Sequence, residues 1–183
     1  MNLFEILFLA VGLSMDAFAV AISLGLTITS QSRKGLREAL IVALYFGFFQ
    51  GAMPIVGFFA AMWFAESVHA FGDWIAFGLL IFLGAKMIFS SFRDEAVEAS
   101  FSPRKMLPLA LATSIDAMAV GVSFAFIGVG IFSAAIIIGA ITFAFSAIGV
   151  KIGTVFGSKF KSKAEFVGGA ILIFLGLRIL LYG

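Results

Sequence analysis

Long apolar stretches separated by short polar connections make up most of the chain. Six of these stretches contain about 20 residues or more, which is enough for a helix to cross the roughly 30 Å of hydrocarbon in a bilayer. The boundary between the fourth and fifth stretches depends mainly on Gly128 and Gly130 and is the weakest one. We therefore predict an all-α integral membrane protein with six transmembrane helices, at residues 3–28, 37–63, 72–91, 106–127, 130–156 and 164–182.

Composition supports the membrane interpretation. Only 12% of the 183 residues are charged and 62% are hydrophobic, whereas a soluble domain carries about 25% charged residues. Six helices use most of the chain, so no separate soluble domain is expected. The absence of cysteine and the single His69 exclude disulfide frameworks, thiolate metal sites and a histidine cluster within one chain.

The first apolar stretch is expected to remain in the protein as a helix. A secretory signal peptide has basic residues ahead of its apolar run. This N-terminus has none and carries Glu5 and Asp16 instead.

Basic residues are concentrated in alternate connections between the apolar stretches, which predicts the orientation of the chain. Nine of the 12 Lys and Arg residues lie in the first, third and fifth connections or beside them. The positive-inside rule places these connections in the cytoplasm and both termini outside it. The nine residues are Arg33, Lys34, Arg37, Arg93, Arg104, Lys105, Lys159, Lys161 and Lys163.

The two halves of the chain resemble each other. Leu13–Ser23 (LSMDAFAVAIS) matches Ala112–Ser123 (ATSIDAMAVGVS), and the later motifs LIFLGAK and LIFLGLR follow in the same order. Gly57 is taken to match Gly153. We predict a first repeat at 1–92, a cytoplasmic linker at 93–105 and a second repeat at 106–183. Three helices per repeat would invert the second repeat, a common plan of secondary transporters with a binding site near the midplane.

Asp16 and Asp116 are the main candidate site residues because both fall near the middle of an apolar helix. An aspartate at the bilayer centre costs about 2.5–3.5 kcal/mol on insertion scales. Such a residue normally faces protein or water and has a functional partner. The alternative is a protonated or hydrogen-bonded aspartate that only joins two helices.

The residues at helical spacing from each aspartate are small. Positions i−4, i+3 and i+7 share the face of the aspartate, and small residues there would let the two aspartate helices approach closely. We predict that they support the site or line a pathway, although ordinary helix packing would explain them equally well. They are Gly12, Ala19 and Ser23 around Asp16, and Ala112, Ala119 and Ser123 around Asp116.

Gln50 is the third candidate ligand. Pro54 lies four residues later and has no N–H, so the Gln50 carbonyl loses its helical partner beside the side-chain amide. Thr142 and Ser146 occupy nearby positions in the fifth stretch and are predicted to line the pathway. Oxygen ligands from Asp16, Asp116 and Gln50 suit Mg²⁺, Ca²⁺ or Mn²⁺, and residue types alone do not choose among these ions.

Three basic residues lie inside apolar stretches. Lys86 and Arg178 are near helix ends and are expected to extend toward the membrane surface. Arg178 is also a candidate partner of Glu5. Lys151 lies deeper and is the candidate counter-charge for an aspartate.

The paired DAxAV motifs at Asp16 and Asp116, the FQxxMP stretch at Gln50 to Pro54 and the repeated LIFLG resemble the MntP manganese efflux pump family along the whole chain. The resemblance implies a six-helix exporter of the bacterial inner membrane that lowers cytosolic Mn²⁺. It also implies that Asp16 and Asp116 matter for export. The linker at 93–105 matches no motif, so a regulatory role for it stays open.

The leading hypothesis is therefore alternating-access export of Mn²⁺ by a secondary transporter. No Walker-type phosphate loop is visible, so direct use of ATP is not expected. Two neighbouring carboxyl groups resist ionising together, which suggests that metal binding displaces a proton. Mn²⁺ would be the cargo, with no resident cofactor, and a homodimer is possible.

Two other functions remain as alternatives. One is export of a small organic solute such as an amino acid. The other is intramembrane proteolysis by two aspartates, but the surrounding sequences are SMDA and SIDA instead of the GxGD of such proteases. We therefore do not expect an enzyme.

Overall fold

In the computed structural model, six α-helices form the part of the chain that the structure describes, which is residues 2–26, 28, 34–63, 72–90, 92, 101–156 and 159–182. These residues contain no strand, which confirms the all-helical prediction. The connection around His69 and most of the 93–105 linker lie outside the described residues. The helices are α1 (Leu3–Gly25), α2 (Lys34–Met62), α3 (Gly72–Ser90), α4 (Pro103–Ile127), α5 (Ile131–Phe156) and α6 (Lys159–Tyr182).

Four of the helices are long and apolar enough to cross a membrane: α1, α2, α4 and α5. The apolar parts of α3 and α6 that can be assessed are shorter, at Phe77–Lys86 and Phe166–Leu181. Large apolar side chains such as Phe48, Phe82 and Phe132 are exposed on the outside of the bundle. An apolar surface of this kind fits contact with lipid better than contact with water. The chain is therefore a multi-pass membrane protein.

The break that the sequence predicts between the fourth and fifth helices is present in the structure. Gly128 follows the last residue of α4 with a φ of 66°, in the left-handed region that glycine adopts without steric cost. Helix α5 then begins at Ile131.

The main helix contacts all join one of the first three helices to one of the last three. Helix α1 packs on α5 and α6, α4 packs on α2 and α3, α2 also packs on α5, and α3 packs on α6. Among the described residues, contacts within either set of three are slight, and α1 and α4 meet along only a short stretch. Each aspartate helix packs mainly on other helices, so the expected close approach of α1 and α4 is limited to that short stretch.

Glycines allow this packing by bringing backbones into direct contact. A Cβ atom on Gly57 would overlap the Met118 carbonyl oxygen, and a Cβ atom on Gly121 would overlap the Pro54 carbonyl oxygen. Helices α2 and α4 therefore touch backbone to backbone, as small-residue interfaces in membranes do.

The contact between α1 and α5 has the same form. Gly149 lies against the Phe18 carbonyl oxygen, and Phe18 matches Met118 in the aligned aspartate motifs. Gly57 thus corresponds in its contacts to Gly149, one helical turn before Gly153. When α2 and α5 are aligned on Gly57 and Gly149, Gln50 corresponds to Thr142.

The first and last helices meet at one end of the bundle. Arg178 Nη1 lies 2.6 Å from Glu5 Oε1, which confirms the expected pair. The start of α1 and the end of α6 are therefore on the same side of the molecule.

Candidate functional site

A layer of buried and half-buried polar residues separates two apolar clusters. The first cluster includes Ile6, Leu9, Val120 and Ile138, and the second includes Ala21, Val42, Phe46 and Met106. Between them four helices place polar side chains at one level. We call these residues the polar layer: Ser14, Asp16, Gln50, Thr113, Ser114, Asp116, Thr142 and Ser146.

The order of residues along α1 and α4 shows why both aspartates lie in this layer. In α1 the first cluster extends to Leu13, and the second begins at Ala17. In α4 the second cluster ends at Ala110 and the first begins at Ala117. Asp16 and Asp116 therefore lie at the same level although their helices pack on different neighbours.

Asp116 is 3% exposed and has a cationic partner that sequence analysis missed. Lys86 Nζ lies 2.9 Å from Oδ1 and 3.2 Å from Oδ2 of Asp116. The same ammonium also interacts electrostatically with Asp16, which is half-buried. Lys86 is thus within electrostatic reach of both candidate metal ligands.

This pair corrects two expectations about the basic residues. Lys86 turns toward the polar layer instead of the membrane surface, because a buried carboxylate offers it a bidentate partner. Lys151, which was a candidate counter-charge but not the favoured interpretation, is exposed on α5. The sequence feature that could have drawn attention to Lys86 is its position at the end of a repeated apolar motif, LIFLGAK.

The Gln50 amide is only half satisfied. Its Nε2 donates a 3.2 Å hydrogen bond to the Leu13 carbonyl oxygen, one turn from Asp16. Its Oε1 is buried and has no hydrogen-bond partner among the described residues, and the same holds for Ser146 Oγ. Buried polar atoms are normally paired, so two unpaired oxygens on adjacent helices indicate a site that a ligand or water would complete.

The other hydroxyls bond mainly within their own helices. Ser14 donates to the Ala10 carbonyl oxygen at 2.6 Å and lies 2.7 Å from Thr142 Oγ1. Ser23 and Ser123 donate to the Ala19 and Ala119 carbonyl oxygens, at 3.2 and 3.3 Å. These bonds hold the hydroxyls of Ser23 and Ser123 along the helix axis.

The remaining predicted residues are divided between packing and surface. Gly12 is buried against Ile171 of α6. Pro54 is buried within a continuous α2, where its carbonyl faces Gly121 of α4. Ala112 is exposed, so the structure does not place it with Asp116 in the polar layer.

The donor set suits a hard or borderline divalent cation. No group of three His, Cys, Asp or Glu side chains is close enough to hold a metal among the residues described. Two carboxylates would therefore need oxygens from Gln50, hydroxyls, backbone carbonyls or water. Mg²⁺, Ca²⁺ and Mn²⁺ accept such mixed oxygen ligands.

The apolar helices and the polar layer define a multi-pass membrane protein with an intramembrane polar site. A family model described as "Putative manganese efflux pump" matches residues 33–180. The chain therefore belongs to the Mntp family, as its motifs indicated.

Similar proteins support the same assignment over nearly their whole length. Three relatives share the name "Putative manganese efflux pump MntP". This name describes a transporter and not an enzyme. The chain is 51% identical to the one from Desulfitobacterium hafniense (97% of this chain, 93% of the relative). It is 48% identical to those from Acetivibrio thermocellus (98% and 91%) and Mannheimia succiniciproducens (99% and 97%). No solved structure matches the chain.

Proposed function

We propose that this protein is a secondary active exporter of Mn²⁺ across the bacterial inner membrane and that it maintains manganese homeostasis. The choice of Mn²⁺ rests on the names of the relatives, because the oxygen donors alone suit several divalent ions. The metal is the transported substrate.

The observation that carries the proposal is the oxygen-lined polar layer. Asp16 and Asp116 would supply two negative charges, which match one divalent ion and make its burial feasible. The unpaired Gln50 Oε1 and Ser146 Oγ would gain partners when metal binds. Thr142 would support the layer through Ser14.

The arrangement of the helices suggests how the site could open to alternate sides. We infer six transmembrane helices in two inverted repeats, 1–92 and 106–183, joined by the 93–105 linker. The matched packing of α1 on α5 and of α4 on α2 supports this inference. The site would then lie between the repeats, as in other inverted-repeat transporters.

The main test is manganese accumulation in manganese-sensitive cells. Wild-type protein should lower cellular Mn²⁺ and restore growth, whereas Asp16→Asn and Asp116→Asn should leave it near the level of cells without an exporter. Each substitution removes a negative charge while keeping the side-chain shape.

The matched control is Glu5→Gln, because it makes the same chemical change on α1 outside the polar layer. Glu5 pairs with Arg178 near the helix end, so this control tests loss of an acidic charge outside the polar layer and is compared at equal membrane level. The proposal fails if both aspartate variants export Mn²⁺ normally at wild-type membrane levels. Transport of an organic solute without metal would favour the solute alternative instead.

A further inference from the structure

A resident cation occupies the carboxylate to which a metal is proposed to bind. Both oxygens of Asp116 contact the Lys86 ammonium. A metal ion and an ammonium cannot share this carboxylate without strong repulsion at close range. Metal binding at Asp116 therefore requires that Lys86 moves away.

The structure gives Lys86 the freedom to move. Its side chain is 48% exposed, whereas that of Asp116 is 4% exposed. Lysine carries its charge on a flexible four-carbon stem, so the ammonium can leave without rearranging α3. A carboxylate buried in α4 cannot follow it.

We propose that Lys86 is the internal counter-ion of the empty transporter, neutralising Asp116 between transport cycles and being displaced by the incoming metal. This inference rests on the proposed function and deepens it. Lys86 stays positively charged throughout. In the loaded state the two aspartates neutralise the divalent ion, and in the empty state Lys86 prevents Asp116 from remaining as an unpaired buried charge.

The counter-ion would explain how an exporter returns without cargo. Without Lys86, reorientation of the empty site would be held back by the cost of carrying the Asp116 carboxylate unpaired through the hydrocarbon. With Lys86 on Asp116, the empty protein can reorient and take up the next ion. Lys86 thus acts as a positioning residue for the site and is not a metal ligand.

Arg178 provides the matched comparison. It occupies the same place in LIFLGLR that Lys86 occupies in LIFLGAK, but it pairs with Glu5. Replacing Arg178 removes an equivalent charge from an equivalent motif without freeing an aspartate of the polar layer.

The first test uses the full chain in liposomes and compares Lys86→Gln with Arg178→Gln. Lys86→Gln should bind Mn²⁺ about tenfold more tightly, which corresponds to about 1.4 kcal/mol, because the competing ammonium is gone. Net Mn²⁺ transport should fall, while exchange of labelled for unlabelled Mn²⁺ should persist, since exchange needs no return of the empty protein. Lys86→Arg should keep net transport.

The outcomes separate the two proposals. Wild-type affinity and an unchanged ratio of net transport to exchange in Lys86→Gln would overturn the counter-ion role, and so would weaker Mn²⁺ binding in folded protein. The counter-ion role would also be overturned if the ratio of net transport to exchange fell in Arg178→Gln as it does in Lys86→Gln. A wild-type protein that moves no Mn²⁺ would refute the proposed function itself.

A second test uses wild-type protein and so does not depend on the folding of a variant. Labelling of Lys86 by a membrane-permeant amine reagent should increase when Mn²⁺ is added, because the ammonium leaves Asp116. Lys151 is exposed on α5 and serves as the internal control with unchanged labelling. Unchanged or reduced labelling of Lys86 would contradict the displacement.

Discussion

Gln50 has one end of its amide satisfied and the other unpaired, inside a bundle where it is 1% exposed. An unpaired buried polar atom costs about 1–3 kcal/mol, whereas a typical hydrogen bond contributes about 0.5–1.5 kcal/mol. The Gln50 amide therefore adds little to the stability of the fold, so packing alone does not explain a glutamine at this position. The imbalance favours a role for Oε1 in binding.

The first prediction concerns Gln50→Leu. The substitution removes the unpaired oxygen together with the bond to Leu13, so thermal stability in detergent should stay equal or rise slightly. The half-saturation concentration for Mn²⁺ transport should rise because one oxygen ligand is lost. Transport into liposomes over a range of Mn²⁺ concentrations measures this effect.

Gln50→Glu is the comparison variant because it keeps an oxygen at the same position. It should retain Mn²⁺ transport better than Gln50→Leu. A Leu variant that is clearly destabilised but transports with unchanged half-saturation would mean that Gln50 only packs.

At the scale of the helices, glycine contacts hold α2 against α4 and α1 against α5. Backbone contact at Gly57 and Gly121 leaves no room for a side chain, and both contacts lie within a turn or two of the polar layer. These contacts set the distance between the helices that carry Gln50 and Asp116. Helix packing thus controls the geometry of the site.

The second prediction is that Gly121→Val separates α4 from α2. The added side chain would meet the Pro54 carbonyl, and overpacking of this kind typically costs about 1–3 kcal/mol. Thermal unfolding in detergent should occur at lower temperature, and Mn²⁺ export should fall.

Gly78→Ala is the control because a Cβ atom there would meet none of the described residues within 4 Å, apart from its own helix turn. Alanine in place of an unconstrained helical glycine should be neutral or stabilise the protein by up to about 1 kcal/mol. Equal effects of the two substitutions would show that the close contact at Gly121 is unimportant.

At the scale of the whole molecule, the two halves of the chain depend on each other. The principal contacts run between the first three helices and the last three. Both apolar clusters also draw residues from both halves. In the parts of the chain that the structure describes, neither half forms a substantial core of its own.

The third prediction is that a chain divided within residues 93–105 works only when both parts are present. Each part alone should be degraded, because its packing surfaces would remain unpaired. Co-expression should restore both membrane levels and Mn²⁺ export. A single half that persists as a folded, protease-resistant protein would contradict this expectation.

The fourth prediction concerns orientation. The Glu5–Arg178 pair puts both ends of the chain on one side, and the basic connections predict that this side is outside the cytoplasm. A C-terminal alkaline phosphatase fusion should therefore be active. A fusion placed within residues 93–105 should be inactive, and the reverse pattern would overturn the orientation.

Sequence analysis placed the aspartates and Gln50 in the interior of the helix bundle, because depth in an apolar helix can be counted along the chain. It also found the Arg178–Glu5 pair, since both residues were expected near the same surface. It missed the Lys86–Asp116 pair, because Lys86 was judged by its distance from a helix end. The expected approach of α1 to α4 is limited to a short stretch for a related reason, since small residues such as Gly12 also occur on faces that turn toward other helices.

What the sequence determined alone is local. The length and apolar character of each stretch define a helical membrane protein, and the repeated motifs place two acidic side chains at similar depth. Tertiary structure decided which helices meet, which cation reaches Asp116 and which oxygens stay unpaired. Helices that are apolar on nearly all sides have no polar face to mark their orientation, so only the packing of all six could settle these contacts.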